Sequence, residues 1–536
     1  MKSRRISLCA IAALLVGTGG ALHAAEQTPA PVVRERQADN HAAALYQEHC
    51  SSCHGVARLG GQGPALLPES LGRLGKKAAE EVIAHGRAAT QMPGFADRLS
   101  TEQITALAEL VYTPLPSTPN WTMADIEASR IFDEGKAALP HKPVFSADPL
   151  NLFVVVESGD HHVTILDGDR FEPIHRFPSR YALHGGPKFS GDGRYVFFGS
   201  RDGWITKYDL YNLTTVAEAR AGINLRNIAL SSDGRYVAAA NYLPHSLVIL
   251  DAADLKPLKA IPTTDRAGKK SSRVSAVYDA RPRGSFIVAL KDIPELWEVS
   301  YRDDAKPIYR GLVHSYETGM IEGVAEPGKF GARRIALDQP LDDFFFDPDY
   351  RHLLGSGRDA GKAVVVHLDV GRSIATIDIP GLPHLGSGIT WTWLGRPVMA
   401  TPNLKEGSLS IIDMQDWSVI KRIETAGPGF FLRSHENTPY AWADVFFGPN
   451  KDVMHVIDKN TLEIVATLRP EPGKTFAHAE FTRDGRFVLV SLWEQDGAVI
   501  VYDAATFKEV KRLPMVKPSG KYNVFNKINL SDGTSH

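Results

Sequence analysis

The sequence predicts a small all-α domain followed by an all-β eight-bladed propeller. Three observations carry this: helical patterning confined to the chain's beginning, a prolyl linker after it, and a β-rich unit that recurs from about residue 145. In that unit an apolar run ends in aspartate and a turn follows. The copies are Val163–Asp167, Ile205–Asp209, Leu247–Asp251, Val364–Asp369, Leu409–Asp413, Met454–Asp458 and Val499–Asp503. Their aspartates are spaced by 42, 42, 118, 44, 45 and 45 residues. The long gap holds one degenerate copy, Leu296–Ser300, plus an insertion, which makes eight units. A second marker interleaves with the first: Asp192-Gly-Arg-Tyr195, Asp233-Gly-Arg-Tyr236 and Asp484-Gly-Arg-Phe487 each put a tight turn before a strand-like run. A repeat of this length with several strands per copy is a propeller pattern. The repeated aspartates and DGR turns read as structural caps of hairpin turns.

Ahead of the repeats the chain is helical. Ala42 to His49 has helical character, and Ser100 with Glu102 opens a helix that runs to about Tyr112. Pro114, Pro116 and Pro119 stiffen a linker, and Asn120 to Gly135 reads as a short helical bridge. The division is therefore 26–113 for the helical domain, 114–144 for the linker and 145–536 for the propeller. Residues 1–25 read as a signal peptide: Lys2, Arg4 and Arg5 precede an apolar Ile6–Val16, with a cut near Ala24 or Ala25. The apolar run is too short for a stable membrane span. Cleavage removes three cations and no acids, taking the formal charge from −2 to −5. Neither value suits a nucleic-acid partner. With 43% hydrophobic residues in 536, the chain can build more than one core.

Of three cysteines, Cys9 lies in the signal segment, leaving only Cys50 and Cys53 in the exported chain. One pair is no disulfide scaffold. Two thiols at this spacing with His54 directly after them form Cys-x-x-Cys-His, the pattern that attaches a c-type heme through two thioethers and an axial histidine. The small domain is thus a c-type cytochrome domain with covalent heme c. Met92, in Gln91-Met92-Pro93-Gly94-Phe95, is the candidate second axial ligand, and His85 is its rival.

A c-type domain ahead of eight propeller units resembles the cytochrome cd1 family, periplasmic proteins whose propeller holds heme d1. The resemblance covers nearly the whole mature chain. Ala182-Leu-His184 is similar to the segment carrying the proximal d1 iron ligand. Ser200-Arg-Asp-Gly203 and Asn224-Leu-Arg226 are similar to segments whose arginines hold d1 carboxylates, and Pro383-His384-Leu-Gly386 to a distal-histidine segment. Ser491-Leu-Trp493 and Pro518–Asn523 resemble the family's last strands. At the first distal position the chain reads Pro340-Leu-Asp342-Asp343, where nitrite-reducing members carry histidine, and it carries His478 where they show none. A carboxylate repels nitrite and is no cationic donor at neutral pH.

This pattern is similar to the branch of the family that completes heme d1, oxidising dihydro-heme d1 by turning a propionate into an acrylate. The resemblance implies periplasmic location and heme d1, as precursor and product, beside heme c. It implies His184 as d1 iron ligand and Arg201 and Arg226 as carboxylate anchors, with Arg273 a third. His384, His478 and Tyr522 are the candidate bases; His478 or His384 remains an alternative iron ligand, and His435 an outsider. The implied partners are the heme d1 precursor and a cd1 nitrite reductase or another periplasmic electron acceptor or d1 recipient. Nitrite reduction and passive heme d1 carriage are the alternative activities.

Overall fold

The computed structural model describes residues 41–60, 63–71, 74–86, 92–117, 119–310, 324–357, 361–530 and 533. The signal-like segment, Cys9 and Gln91 lie outside them. The first domain is all helical: 41–49, Ser51–His54, Pro68–Leu71, Lys76–His85 and Thr101–Tyr112. Ser100 caps the last of these, its hydroxyl accepting from the Gln103 amide while the Gln103 side chain accepts from the Ser100 amide. Ile104, Leu107 and Val111 recur at helical spacing and pack on Leu45, Tyr46, Phe95 and Leu99. The buried Arg58 closes the other end, donating to the carbonyls of Leu110 and Thr113.

Among the described residues, eight antiparallel blade sheets make the second domain, seven of four strands and one of five, beside one two-stranded ribbon. The first strands of neighbouring blades touch one another, as Asn224–Leu230 does Val274–Ala280 and Phe476–Phe481 does Pro518–Asn523. These first strands therefore line the axis. The ring is closed by Pro518–Asn523, which pairs with Leu152–Glu157 and forms the inner strand of a blade begun more than 300 residues earlier. Each repeated apolar run is the third strand of its blade. The degenerate copy is Glu295–Ser300, and the insertion after it includes a two-stranded ribbon, Ile308–Arg310 with Val324–Glu326.

The aspartates do the capping that their position implies. Asp209 Oδ1 accepts from the amides of Tyr211 (2.9 Å) and Asn212 (3.1 Å), and Asp458 Oδ1 from those of Asn460 (2.7 Å) and Thr461 (3.0 Å). Each turn ends on a left-handed residue such as Phe171, Leu255 or Leu462 (φ 55°, 60° and 58°). That conformation costs roughly 1–2 kcal/mol for a residue with a side chain, and burial of the same side chain between blades offsets it. In the DGR turns the aspartate accepts from the arginine amide, at 3.1 Å for Asp192 and Asp233.

The linker is less helical than its sequence suggests. Met123–Ser129 is helical and buries Ile126 between blades, but Ile131–Phe132 adds as an outer strand to Thr214–Arg220. β-Branched and aromatic side chains suit that edge. Arg220 ties the two domains together: it donates to the Leu59 carbonyl (2.6 Å) and the Asp202 carbonyl (2.8 Å), and stacks on Trp121. Ala65 and Leu67 pack on Ile223 and Leu243 beside it. Among the described residues no helix is long and apolar enough to cross a membrane.

Candidate functional site

The heme c residues follow from local structure. A helix across 41–49 delivers Cys50, and the turn Ser51–His54 sets Cys53 and His54 one step further. The His54 Nδ1–H donates to the Pro64 carbonyl at 2.8 Å, which fixes the tautomer and leaves the Nε2 lone pair available. Burial holds its pKa below the usual imidazole range, so the ring is neutral and able to ligate iron. Gly63 passes so close that a Cβ there would lie 2.7 Å from His54 Cε1. Both thiols are free, and Met92 packs in one apolar cluster with Cys50, Tyr46 and Phe95. These residues fit a covalent heme c. His85 points elsewhere: its side chain is 71% exposed and pairs with Glu81 at 3.5 Å.

The second site gathers where the first strands begin. His184 precedes the short strand Lys188–Phe189, its Nδ1–H donating to the Arg226 carbonyl at 2.7 Å. Arg201 donates to His184 Nε2 at 2.9 Å, and Arg226 Nη1 lies 3.2 Å from Nδ1. Arg201, Arg273 and Lys291 surround the Tyr242 ring at 5.9, 5.6 and 5.9 Å. Arg273 is held by Asp292, and Lys291 by Asp342. This face is strongly cationic, as a macrocycle with several carboxylates requires.

Across the axis lie the candidate bases. The His384 Nδ1–H donates to the Phe430 carbonyl at 2.6 Å. Phe431 links this histidine to His478, with ring centroids 6.4 and 4.5 Å away, and His478 meets the Tyr522 ring at 5.2 Å. His478 is 1% exposed, sits in a bulge of its strand with φ 57°, and leaves Nε2 without a hydrogen-bond partner among the described residues. Its amide donates to Asp444 Oδ2 at 3.2 Å, and the other oxygen of that buried carboxylate accepts from the amides of Phe430 and Phe431. Burial, then the nearby Lys521 and Arg433, push the His478 pKa well below the imidazole range. Burial likewise depresses Lys521, which lies 3.4 Å from His478 Nδ1 and also donates to its carbonyl. Tyr522 is pushed up to about 12 by burial, and Asp444 up to about 6.

A profile of the cytochrome D1 heme domain matches residues 147–318 and 320–527, most of the chain. The chain belongs to the cytochrome D1 heme domain family. Ahead of the D1 heme domain, residues 37–111 match the profile described as cytochrome C oxidase, cbb3-type, subunit III. The dihydro-heme d1 dehydrogenase of Pseudomonas aeruginosa is 57% identical over 92% of this chain and 95% of its own. A nitrite reductase of Stutzerimonas stutzeri is 27% identical over 97% and 98%. The solved structure of the dihydro-heme d1 dehydrogenase NirN in complex with DHE superposes with a TM-score of 0.84, covering 91% of this chain and all of that one at 57% identity.

Within this family fold, the sequence-derived residues form two clusters around one axis. His184, Arg201 and Arg226 touch one another; His384, His478 and Tyr522 are joined through Phe431. Gly186, two residues after His184, runs beside Tyr522, where an added Cβ would lie 3.4 Å from the ring. His435 stays apart, fully buried near the DGR turn at Gly485. Sequence reasoning missed Lys521, Asp444 and Arg433. The only signal for Lys521 was a lone lysine inside a strand-like Pro518–Asn523 otherwise free of charge.

Proposed function

We propose that the protein oxidises dihydro-heme d1 to heme d1 in the periplasm, turning one propionate into an acrylate, with electrons leaving through heme c. The observation that carries this reading is 57% identity over 92% of the chain to a dihydro-heme d1 dehydrogenase. The site supports it with a buried neutral histidine whose Nε2 is open. Removing two hydrogens from a propionate releases two protons and two electrons. Bound heme c, held by Cys50, Cys53, His54 and Met92, supplies one-electron acceptance and passage to an outside acceptor. Everything else falls to the propeller. Arg201 and Arg226 take the substrate's carboxylates by paired hydrogen bonds. As Arg201 turns to a carboxylate it uncovers His184 Nε2, whose Nδ1–H stays on the Arg226 carbonyl; this makes His184 the ligand for the substrate's iron.

His478 differs from the other three histidines in having no backbone carbonyl on Nδ1. Lys521 Nζ lies 3.4 Å from Nδ1, and Nε2 is the ring nitrogen without a partner among the described residues, open to a substrate hydrogen. His478 is therefore the base, with Tyr522 beside it, and His384 closes the pocket from the next blades. The contact chain Leu59–Arg220–Asp202 runs from the heme c loop to the residue after Arg201, which supports electron passage between the two domains. A cd1 nitrite reductase or another periplasmic redox protein is the recipient.

The test is single-turnover mixing of the heme c-loaded protein with dihydro-heme d1, followed optically. Formation of heme d1 with reduction of heme c is expected. Binding without oxidation under any heme c acceptor establishes the carrier reading instead. Added nitrite should give little nitric oxide, because Asp342, paired with Lys291, stands where a proton-donating histidine is needed; rapid nitric oxide formation establishes the reductase reading.

A further inference from the structure

At the far end of the axis from the arginine face lies a cavity of about 340 Å³. The C-terminal helix Val524–Asn529 closes it on one side, through Lys527 and Ile528, and the ends of three inner strands close it on the others. Its lining includes two lysines, Lys188 and Lys527, together with Tyr278 and Asp279, and it reaches the exposed Arg281 and Ser232. No established part of the site uses these lysines.

Lys527 stands at the end of a line of groups leading from His478. Lys527 Nζ lies 5.6 Å from the Tyr522 ring centroid, and that ring meets His478. On the other wall of the cavity, Asp343 accepts from the Tyr278 hydroxyl at 2.9 Å. Lys188 Nζ sits 5.8 Å from the Tyr278 ring centroid.

A proton taken by His478 cannot rest there, because burial first, and then the Arg433 guanidinium, disfavour an imidazolium. A macrocycle held on Arg201 and Arg226 covers the opposite end of the axis. We propose that the axial cavity is the proton exit of the site. His478 passes its proton through the Tyr522 hydroxyl to the Lys527 amine. The Lys527 ammonium then delivers to water in the cavity, whose other wall carries Lys188. No oxidant is consumed in these transfers; the proposal rests on the dehydrogenase reading for the source of the protons.

Burial first, then Arg433 and Lys188, with Glu480 opposing, bring the Lys527 pKa down to about 7. Burial and Arg281, with Asp343 opposing, bring Lys188 down to about 8. A depressed lysine is a neutral acceptor above its pKa and a blocked cation below it. Dihydro-heme d1 conversion should therefore rise with pH through this range.

The experiment uses the heme c-loaded protein with Lys527→Met, Lys527→Arg and the double variant Lys527→Met with Lys188→Met. Dihydro-heme d1 binding should stay within about twofold, while single-turnover conversion falls about tenfold or more and its pH inflection disappears. Imidazole in the buffer should restore the Met variants. Arginine keeps the charge but does not release a proton, so Lys527→Arg should be as slow as Lys527→Met. Parental rates in the double Met variant, or full rescue by arginine, overturn the proposal. If a Met variant does not fold, NMR titration of the lysine ε-amines in the parent decides: both amines titrating near the ordinary lysine value overturn it. Failure of the parent to oxidise the precursor sinks the dehydrogenase reading instead, and that result is distinct from slow lysine variants of an active parent.

Discussion

In the cytochrome domain, the residues proposed to take a macrocycle, Cys50, Cys53 and His54, lie on one short helical turn and its cap, and the carbonyl that orients His54 is only ten residues away. In the propeller the same task is spread around a ring. The carbonyl on His184 comes from Arg226, 42 residues on, and the lysine on His478 Nδ1 from 43 residues on. Both regions use one device, a Nδ1–H held by a backbone carbonyl to free Nε2, at His54, His184 and His384. What differs is the range over which it is assembled. A heme attached by covalent bonds needs only local order. A substrate that enters and leaves must be read by a rigid scaffold, because its contacts have to exist before it arrives.

The comparison breaks first at the thiols. Changing both Cys50 and Cys53 to serine should abolish heme staining on a denaturing gel and stop turnover, while dihydro-heme d1 still binds the propeller. Loss of binding as well would mean that the two regions are not separable.

His478→Ala and His384→Ala sharpen the propeller side. Single-turnover conversion should fall by roughly 10²-fold or more for a positioned base, with binding far less affected. If His384→Ala alone keeps the parental rate, it is a wall of the pocket and His478 is the base. If both keep it, Tyr522 remains.

Arg201→Ala or Arg226→Ala should do the reverse, weakening dihydro-heme d1 binding by about tenfold or more, as loss of a charge-assisted pair does. An equilibrium titration reads this directly. Met92→Ala should lower the heme c reduction potential, since thioether ligation favours the ferrous state. An unchanged potential and spectrum would return His85 as the ligand despite its exposure. The smallest effect is expected at a repeat turn: Asp458→Ala removes the acceptor of two amides and should cost about 1 kcal/mol in thermal unfolding without touching binding.

Much of this molecule is legible in its sequence because the deciding interactions are short. Cys50-Ser-Ser-Cys53-His54, the Ser100 cap, the DGR turns and the repeated aspartates each act on backbone within a few residues of themselves. Their spacing therefore announces the helical domain and eight blades. The linker shows where that ends. Ile131 and Phe132 have no local reason to be a strand, and become one only because Thr214–Arg220 offers a free edge.

The site residues divide the same way. His184, Arg201, Arg226, His384, His478 and Tyr522 were found through likeness to a family. Lys521 and Arg433, which with burial hold the His478 pKa down, carried no mark of their own. A lysine's pKa depends on the water it loses and the charges it meets, and both are decided by strands far away in the chain. The closing strand places Lys521 beside His478, and the last helix seals Lys527 into the axis. Local chemistry thus determined the elements and the heme c motif, whereas only closure of the ring, by desolvating these groups together, decided which of them can take a proton.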